Sequence, residues 1–204
     1  VSGKLKKLSP ISLVIDMTDI YYAGIGPRAI DKITESNFIL IGERLAQMGR
    51  ILRSGAAPGS DNAFEIGCIR ANGRKEVYLP WNGFEGRKTE PECGYMSINY
   101  DLKDELDRLV STFHPKQDLS QGIKKMMMRN CHQVLGYYLK TLIKFVITSA
   151  KDLKFDTNNK ICNCKGGTGF AVRLAHSLHI PIYSLNVPEH FTMIENYLNI
   201  KLNK

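Results

Sequence analysis

Apolar and polar positions alternate along this chain in two rhythms. Short runs rich in Val, Ile and Tyr read as strands: Leu13-Val14-Ile15 through Ile20-Tyr21-Tyr22-Ala23 as an opening strand or hairpin, then residues 50–53, 76–81, 144–149 and 180–185. Between them, Ile33, Phe38, Ile41, Leu45 and Met48 recur near helical spacing and predict a helix over residues 30–48, closed by Gly49. Ser60 or Asp61 is placed to cap a helix over residues 62–71. Leu102, Leu106, Leu109 and Val110 predict another over residues 101–113, ended by His114-Pro115. Further helices are expected over residues 123–139, 170–179 and 188–200. Residues 82–100, rich in Gly, Glu, Asn and Pro, read as an ordered excursion or a lid. Strands alternating with helices of this length predict a parallel α/β sheet, in which ligands bind beyond the carboxyl ends of the strands.

Small residues collect where those strands end. Gly24-Ile25-Gly26-Pro27-Arg28 follows the first, Ser54-Gly55-Ala56-Ala57-Pro58-Gly59-Ser60-Asp61 the second, and Gly166-Gly167-Thr168-Gly169 lies after the run at 145–148. The last reads as a glycine turn with Thr168 capping a helix that begins at Phe170. Small residues let backbone approach a ligand, and the unpaired N–H groups of a first helical turn attract an anion such as a nucleotide phosphate. The alternative is a glycine turn that only reverses the chain.

Composition narrows the classes. At 204 residues, with 43% hydrophobic and 24% charged residues, one folded domain over residues 1–204 is expected. No apolar run has the ~20 residues that a membrane span needs. The basic N-terminus is not a signal peptide, because Asp16 and Asp19 interrupt the run behind it. Five cysteines, an odd and irregularly spaced set, favour reduced thiols and a cytoplasmic protein. The net charge of +8 favours anionic partners, although scattered lysines also describe an ordinary solvated surface.

Three segments resemble one family. Tyr22-Ala23-Gly24-Ile25-Gly26-Pro27-Arg28 is similar to the first turn of the SLOG superfamily. That superfamily gathers DNA-processing protein A (DprA), the lysine-decarboxylase-like phosphoribohydrolases and nucleotide-sensing domains. Leu52-Arg53-Ser54-Gly55-Ala56-Ala57-Pro58-Gly59-Ser60-Asp61 resembles the DprA-type second turn, and Arg129-Asn130 with Gly166-Gly167-Thr168-Gly169 resembles a phage and bacterial DprA-like subgroup. The resemblance spans residues 22–186 and implies a Rossmann-like three-layer α/β sandwich with a mostly parallel central sheet. It implies that Gly24, Gly26 and Arg28 lie on a first ligand loop, and that Ser54, Gly55, Ala56, Gly59 and Asp61 line a second. Gly166, Gly167, Thr168 and Gly169 would form the phosphate turn, with Arg129 facing the ligand. The implied partner is a nucleotide or nucleotide-derived small molecule, alternatively single-stranded DNA. A homo-oligomer is compatible with it, no membrane is implied, and a phage-encoded member would work in the host cytoplasm. The phosphoribohydrolase branch carries a glutamate shortly after its glycine signature. Phe170-Ala171-Val172-Arg173 stands there instead, so N-glycosidic hydrolysis is the least favoured activity, and would need Asp61 or Glu65.

The remaining candidates have bland readings beside them. Arg28 forks onto a phosphate or is merely solvated. Arg53 faces the second turn or pairs with Glu65. Arg129, His132, Gln133 and Gly136 share a helix face that meets a ligand or water, next to an apolar stripe of Met127, Cys131, Val134 and Tyr138. Cys162 and Cys164 with His176 and His179 are better read as ordinary side chains than as metal ligands, and no cofactor is expected. Met126, Met127 and Met128 read as core or interface. Trp81 stacks on a base or anchors the excursion.

Overall fold

The computed structural model describes residues 20–151, 153–155 and 161–204. In chain order these form β1 (Tyr21–Gly24), α1 (Lys32–Gln47), β2 (Ile51–Ser54), α2 (Ser60–Arg70), β3 (Lys75–Leu79), β4 (Tyr95–Ser97), α3 (Lys103–Phe113) and α4 (Gln121–Leu135). There follow β5 (Phe145–Thr148), β6 (Lys154–Phe155), β7 (Ile161–Asn163), α5 (Gly166–Ser177), β8 (Ile182–Ser184) and α6 (Pro188–Leu198). Six strands make one sheet in the order β4-β3-β2-β1-β5-β8, and every pairing in it is parallel. β6 and β7 form a separate antiparallel pair.

The register explains the layers. Tyr22 lies opposite Leu52, and Ala23 opposite Val146, which in turn lies opposite Ile182. Side chains alternate across a strand, so these two sets face opposite ways. Tyr22, Leu52 and Ile147 pack with Phe38, Ile41 and Leu45 of α1, Phe64 of α2, and Ile194 and Leu198 of α6. Ala23, Val146 and Ile182 pack with Leu106 of α3, Cys131 and Val134 of α4, and Phe170 and Leu174 of α5. A parallel sheet covered by helices on both faces is the Rossmann-like sandwich expected from the sequence, and strands buried on both sides account for its short, nearly all-apolar runs.

Several local expectations change. The expected strand residues 13–15 lie outside the described residues. α4 ends at Leu135, not near residue 139, because Gly136 takes φ +76 and turns the chain away. Tyr138 therefore leaves the apolar stripe and is 68% exposed. Residues 82–100 are no open lid: β4 adds an edge strand, and buried Glu65 clamps the segment by accepting from Arg87 Nη2 at 2.9 Å, Lys75 Nζ at 3.2 Å and the Tyr95 hydroxyl at 2.5 Å. Arg53 turns from Glu65 to Glu76, at 2.7 Å, and lies over the Tyr21 ring, 3.8 Å from its centroid. The cap of α2 is Gly59 at φ +77, a conformation that Ser60 or Asp61 would adopt only with strain, so both of these residues fall inside the first turn.

Candidate functional site

All six parallel strands end on one edge of the sheet. β1 lies between β2 and β5, so the chain leaves it in both directions, and the loops there part to leave a crevice. A cleft of about 510 Å³ occupies it. Gly26 and Arg28 come from the loop after β1, Asp61 from the first turn of α2, Arg129, Asn130 and Gln133 from α4, and Gly166, Gly167 and Thr168 from the start of α5. Ile25, Pro27, Met126, Met127, Ala150 and Ala171 supply an apolar lining.

The glycine turn differs from its expected form. Thr168 does not cap a helix that begins at Phe170. The helix starts at Gly166 because the Gly169 N–H donates to the Lys165 carbonyl at 3.0 Å and closes a turn over the glycines. Gly169 packs so closely on the link between β7 and α5 that a Cβ on it would sit 2.0 Å from the Cys164 carbonyl oxygen. Among the described residues no side chain caps this end, and no acidic residue lies in the first turn. The backbone N–H groups of Gly166, Gly167 and Thr168 thus have no acceptor within the helix and border the cleft, where the positive end of the helix dipole attracts an anion.

Across the cleft sits a buried ion pair. Arg129 Nη1 lies 3.3 Å from Asp61 Oδ2, with the residues 5% and 4% exposed. Asp61 Oδ2 also accepts from the Gly55 N–H at 3.1 Å. Burial pushes the Asp61 carboxyl above the ordinary carboxylate range, with Arg129 opposing the shift. Burial likewise holds the Arg129 guanidinium below its usual range, with Asp61 opposing and nearby Arg28 adding to the shift. The Nε–H of Arg129 is buried and meets no acceptor among the described residues.

The two walls are joined by amides. In the orientation that lets donors meet acceptors, the Gln133 oxygen accepts from the Gly55 N–H at 2.9 Å and from Arg129 Nη1 at 3.3 Å, while its nitrogen donates to Asn130 Oδ1 at 2.8 Å. Asn130 Nδ2 then donates to the Gly167 carbonyl at 3.0 Å. This chain of contacts holds the opening turn of α5 in place against the loop after β2.

Of the residues singled out from the sequence, Gly26, Arg28, Asp61, Arg129, Gly166, Gly167 and Thr168 line the cleft. The others support it from behind. Gly24 lies under the Phe64 ring, 2.4 Å from where its Cβ would be. Ser54 donates to the Gly24 carbonyl at 2.8 Å, and Ala56 is buried with Val77, Leu79 and Phe84. Gly55 faces the Arg129 guanidinium, Gly59 the Arg28 carbonyl, and Gly169 the Cys164 carbonyl. His132 does not reach the cleft. It stacks between Tyr78 and Tyr137, its Nε2 accepts from the Asn99 N–H at 3.2 Å, and its Nδ1–H donates to the Gly136 carbonyl at 3.1 Å. After the glycine turn, Phe170 and Val172 are buried, and Arg173 donates to the carbonyls of Phe113 and Cys164.

Asn130, Met126 and Phe84 were not singled out as site residues. Met126, Arg129, Asn130 and Gln133 are spaced as one helical stripe, and that spacing was the available signal. Phe84 had none. Its ring lies 5.9 Å from both Arg28 and Arg129, a contact made through the tertiary fold. Cys68, Cys93 and Cys131 are free thiols, and burial pushes Cys68 up to about 11. The side chain of Cys162 lies outside the described residues. Among the described residues no three His, Cys, Asp or Glu side chains group as metal ligands, and no helix is long and apolar enough to cross a membrane.

No family model and no curated protein matches the chain. Solved structures do. DNA processing protein A from Helicobacter pylori, described for its single-stranded DNA binding mode, superposes with a TM-score of 0.53 at 17% identity, over 88% of this chain and 79% of that one. The molybdenum cofactor binding protein from Rippkaea orientalis superposes with a TM-score of 0.50 at 16% identity, over 91% of this chain and 88% of that one. At these identities the likeness is one of fold: the chain has the Rossmann-like α/β fold that these two proteins share.

Proposed function

We propose that the cleft binds a nucleotide or nucleotide-derived ligand through its phosphate or equivalent anionic group. The group sits between the opening turn of α5 and the Arg129 and Arg28 guanidiniums. The observation that carries this reading is Arg129, buried yet with an Nε–H that meets no acceptor among the described residues, across the cleft from a helix N-terminus that no described side chain caps. Each needs an acceptor, and one anion supplies both. The apolar lining from Ile25, Pro27, Met126 and Ala171 suits a flat ring attached to that anion. A molybdenum cofactor binding protein among the fold's neighbours supports a small anionic ligand, and an N-glycosidase reading gains nothing from Glu65, which is fully engaged by Lys75, Arg87 and Tyr95.

Calorimetric titration with ADP, AMP, inorganic pyrophosphate and adenosine tests the reading. Binding of the phosphorylated compounds, with adenosine much weaker, is expected. Adenosine binding as tightly as ADP, or no heat with any phosphorylated compound across nucleotides and cyclic dinucleotides, overturns it. A second reading, single-stranded nucleic acid, draws on the net charge of +8 and on the DNA-binding neighbour, and predicts affinity that falls steeply with salt.

A further inference from the structure

We propose that a second pocket, between the sheet and α6, binds a medium-chain acyl carboxylate, its chain among apolar side chains and its head group between Lys144 and Arg50. The site is separate from the cleft and does not rest on the anion-binding reading of it.

The pocket has a volume of about 400 Å³, within the range of small-molecule sites. Ile147 of β5 and Tyr183 of β8 lie opposite each other in register, so both point to the face that packs on α6. From α6, Ile194 and Leu198 close the pocket, while Met193 and Tyr197, four residues apart on one stripe, stand about half exposed at its mouth. The rings in the wall are engaged with one another. Phe145 stacks on Tyr22, with centroids 5.8 Å apart, and meets Tyr183 and Tyr197 edge-on at 6.3 Å each. The rest of the lining is aliphatic apart from Lys144. A flexible chain conforms to such a wall better than a flat ring does, and Met193 adapts to it at the mouth.

The cations gather at one end. Ile20 and Lys144 each stand one residue before a strand, β1 and β5, so the pocket reaches the edge where the strands begin, opposite the cleft. Arg50 stands one residue before β2 at the same edge. The Ile51 N–H donates to the Ile20 carbonyl at 3.0 Å and the Lys144 N–H to the Tyr21 carbonyl at 2.8 Å, which sets Arg50 and Lys144 on either side of Ile20. Arg50 Nη2 donates to the Tyr197 hydroxyl at 3.1 Å, so its guanidinium reaches the pocket wall. Its Nε–H is buried and meets no acceptor among the described residues. Lys144 is the one charged side chain in the lining, and no described carboxylate joins it. A neutral apolar ligand would leave Arg50 as it is, and a cationic one would be repelled. An apolar body with an anionic head answers both the wall and the edge.

Calorimetry on the intact chain with octanoate and with octanol tests the site. Octanoate is expected to bind more tightly than octanol. In Lys144→Glu its affinity should fall roughly tenfold while that of octanol changes less than about twofold, because only the head group meets the reversed charge. Met193→Asp, which sets a carboxylate at the mouth, should weaken octanoate to a similar degree. Arg50→Gln should weaken octanoate by roughly threefold to tenfold. Lys144 and Met193 are exposed, so these two variants keep the fold and decide the matter even if Arg50→Gln melts early. No heat with octanoate, as when a second copy of the chain or another of its segments fills the pocket, overturns the proposal. Octanoate affinity unchanged in both Lys144→Glu and Met193→Asp overturns the location, and octanol bound as tightly as octanoate overturns the role of the cations. None of these results bears on ADP binding in the cleft.

Discussion

Thr168→Glu separates the binding role of the α5 N-terminus from its structural role. Thr168 is the third residue of α5 and half-buried at the cleft wall, in a first turn with no acidic residue and, among the described residues, no side-chain cap. A carboxylate near a helix N-terminus meets the positive end of the dipole, a gain of about 0.3–1 kcal/mol. Glutamate is also the better helix former. The unliganded protein should therefore be as stable as wild type or slightly more so, which for a chain of this size is a rise in Tm of roughly 2–4 °C per kcal/mol. Binding should move the other way. A phosphate oxygen on the N–H groups of this turn would lie about 5 Å from the new carboxylate, and at an effective dielectric of about 20 the repulsion is about 3 kcal/mol per unit charge. That is roughly a hundredfold loss for a monoanion and more for a dianion. Thermal melting and calorimetry with ADP give both numbers, and Thr168→Gln supplies a control of the same shape without the charge. Affinity within threefold of wild type in a Thr168→Glu protein that melts normally would refute the placement of the anion at α5.

Asp61→Asn leaves Arg129 charged and unpaired in its buried site, and should destabilise the unliganded protein by about 3 kcal/mol in urea titrations. The same change removes a negative charge from the cleft, so ADP affinity should rise by about tenfold, and a fall would count against Arg129 as a contact of the anion. His132 gives a pH dependence. Burial holds its folded-state pKa below the ordinary histidine value, so the unfolded chain takes up the proton first; stability present above pH ~6.5 is lost as pH falls below it. In His132→Phe, stacking on Tyr78 is kept but the Asn99 N–H loses its acceptor, while the Gly136 carbonyl keeps the Leu139 N–H, so stability at pH 8 should drop by about 1–3 kcal/mol while the slope between pH 6.5 and 5 flattens. His190, whose pKa burial also lowers, keeps some of that slope, and an unchanged profile would clear His132 of the effect.

Periodicity made the sandwich legible because its strands are buried on both faces and its helices on one. Phe38, Ile41 and Leu45 point one way from α1 for the same reason that they recur at helical spacing. β4 was illegible: Tyr95, Met96 and Ser97 are only half-buried, and β4 joins the sheet through its register with β3 and the clamp on Glu65. Helix boundaries failed where a single backbone angle decides them, at Gly59 and Gly136. In the cleft, the turn residues could be found by composition, yet six of the thirteen singled-out positions stand behind the surface. A glycine that lets Phe64 rest on β1 and a glycine that lines a cleft leave the same mark in a sequence, and only the packing around Gly24 and Gly26 tells them apart.

The Arg129–Asp61 pair is the feature hardest to explain by folding alone. Both pKa values move in the direction that disfavours charge, so each partner offsets only part of what burial takes from the other. Apolar residues of similar volume would hold α4 against α2 at least as well. What apolar residues would not supply is a guanidinium fixed beside the cleft, its Nη1 held by Asp61 and Gln133 and its Nε–H left over. Asp61 accounts for the orientation and leaves the charge only partly neutralised. An anion placed between Arg129 and α5 would satisfy the Nε–H, supply an acceptor for the N–H groups of Gly166, Gly167 and Thr168, and favour the charged form of Arg129. Three local costs of the unliganded fold would then be relieved by one ligand. Binding should accordingly stabilise the protein well beyond what surface contacts of the same size achieve, and the gain in Tm at saturating ADP should shrink in Thr168→Glu and grow in Asp61→Asn.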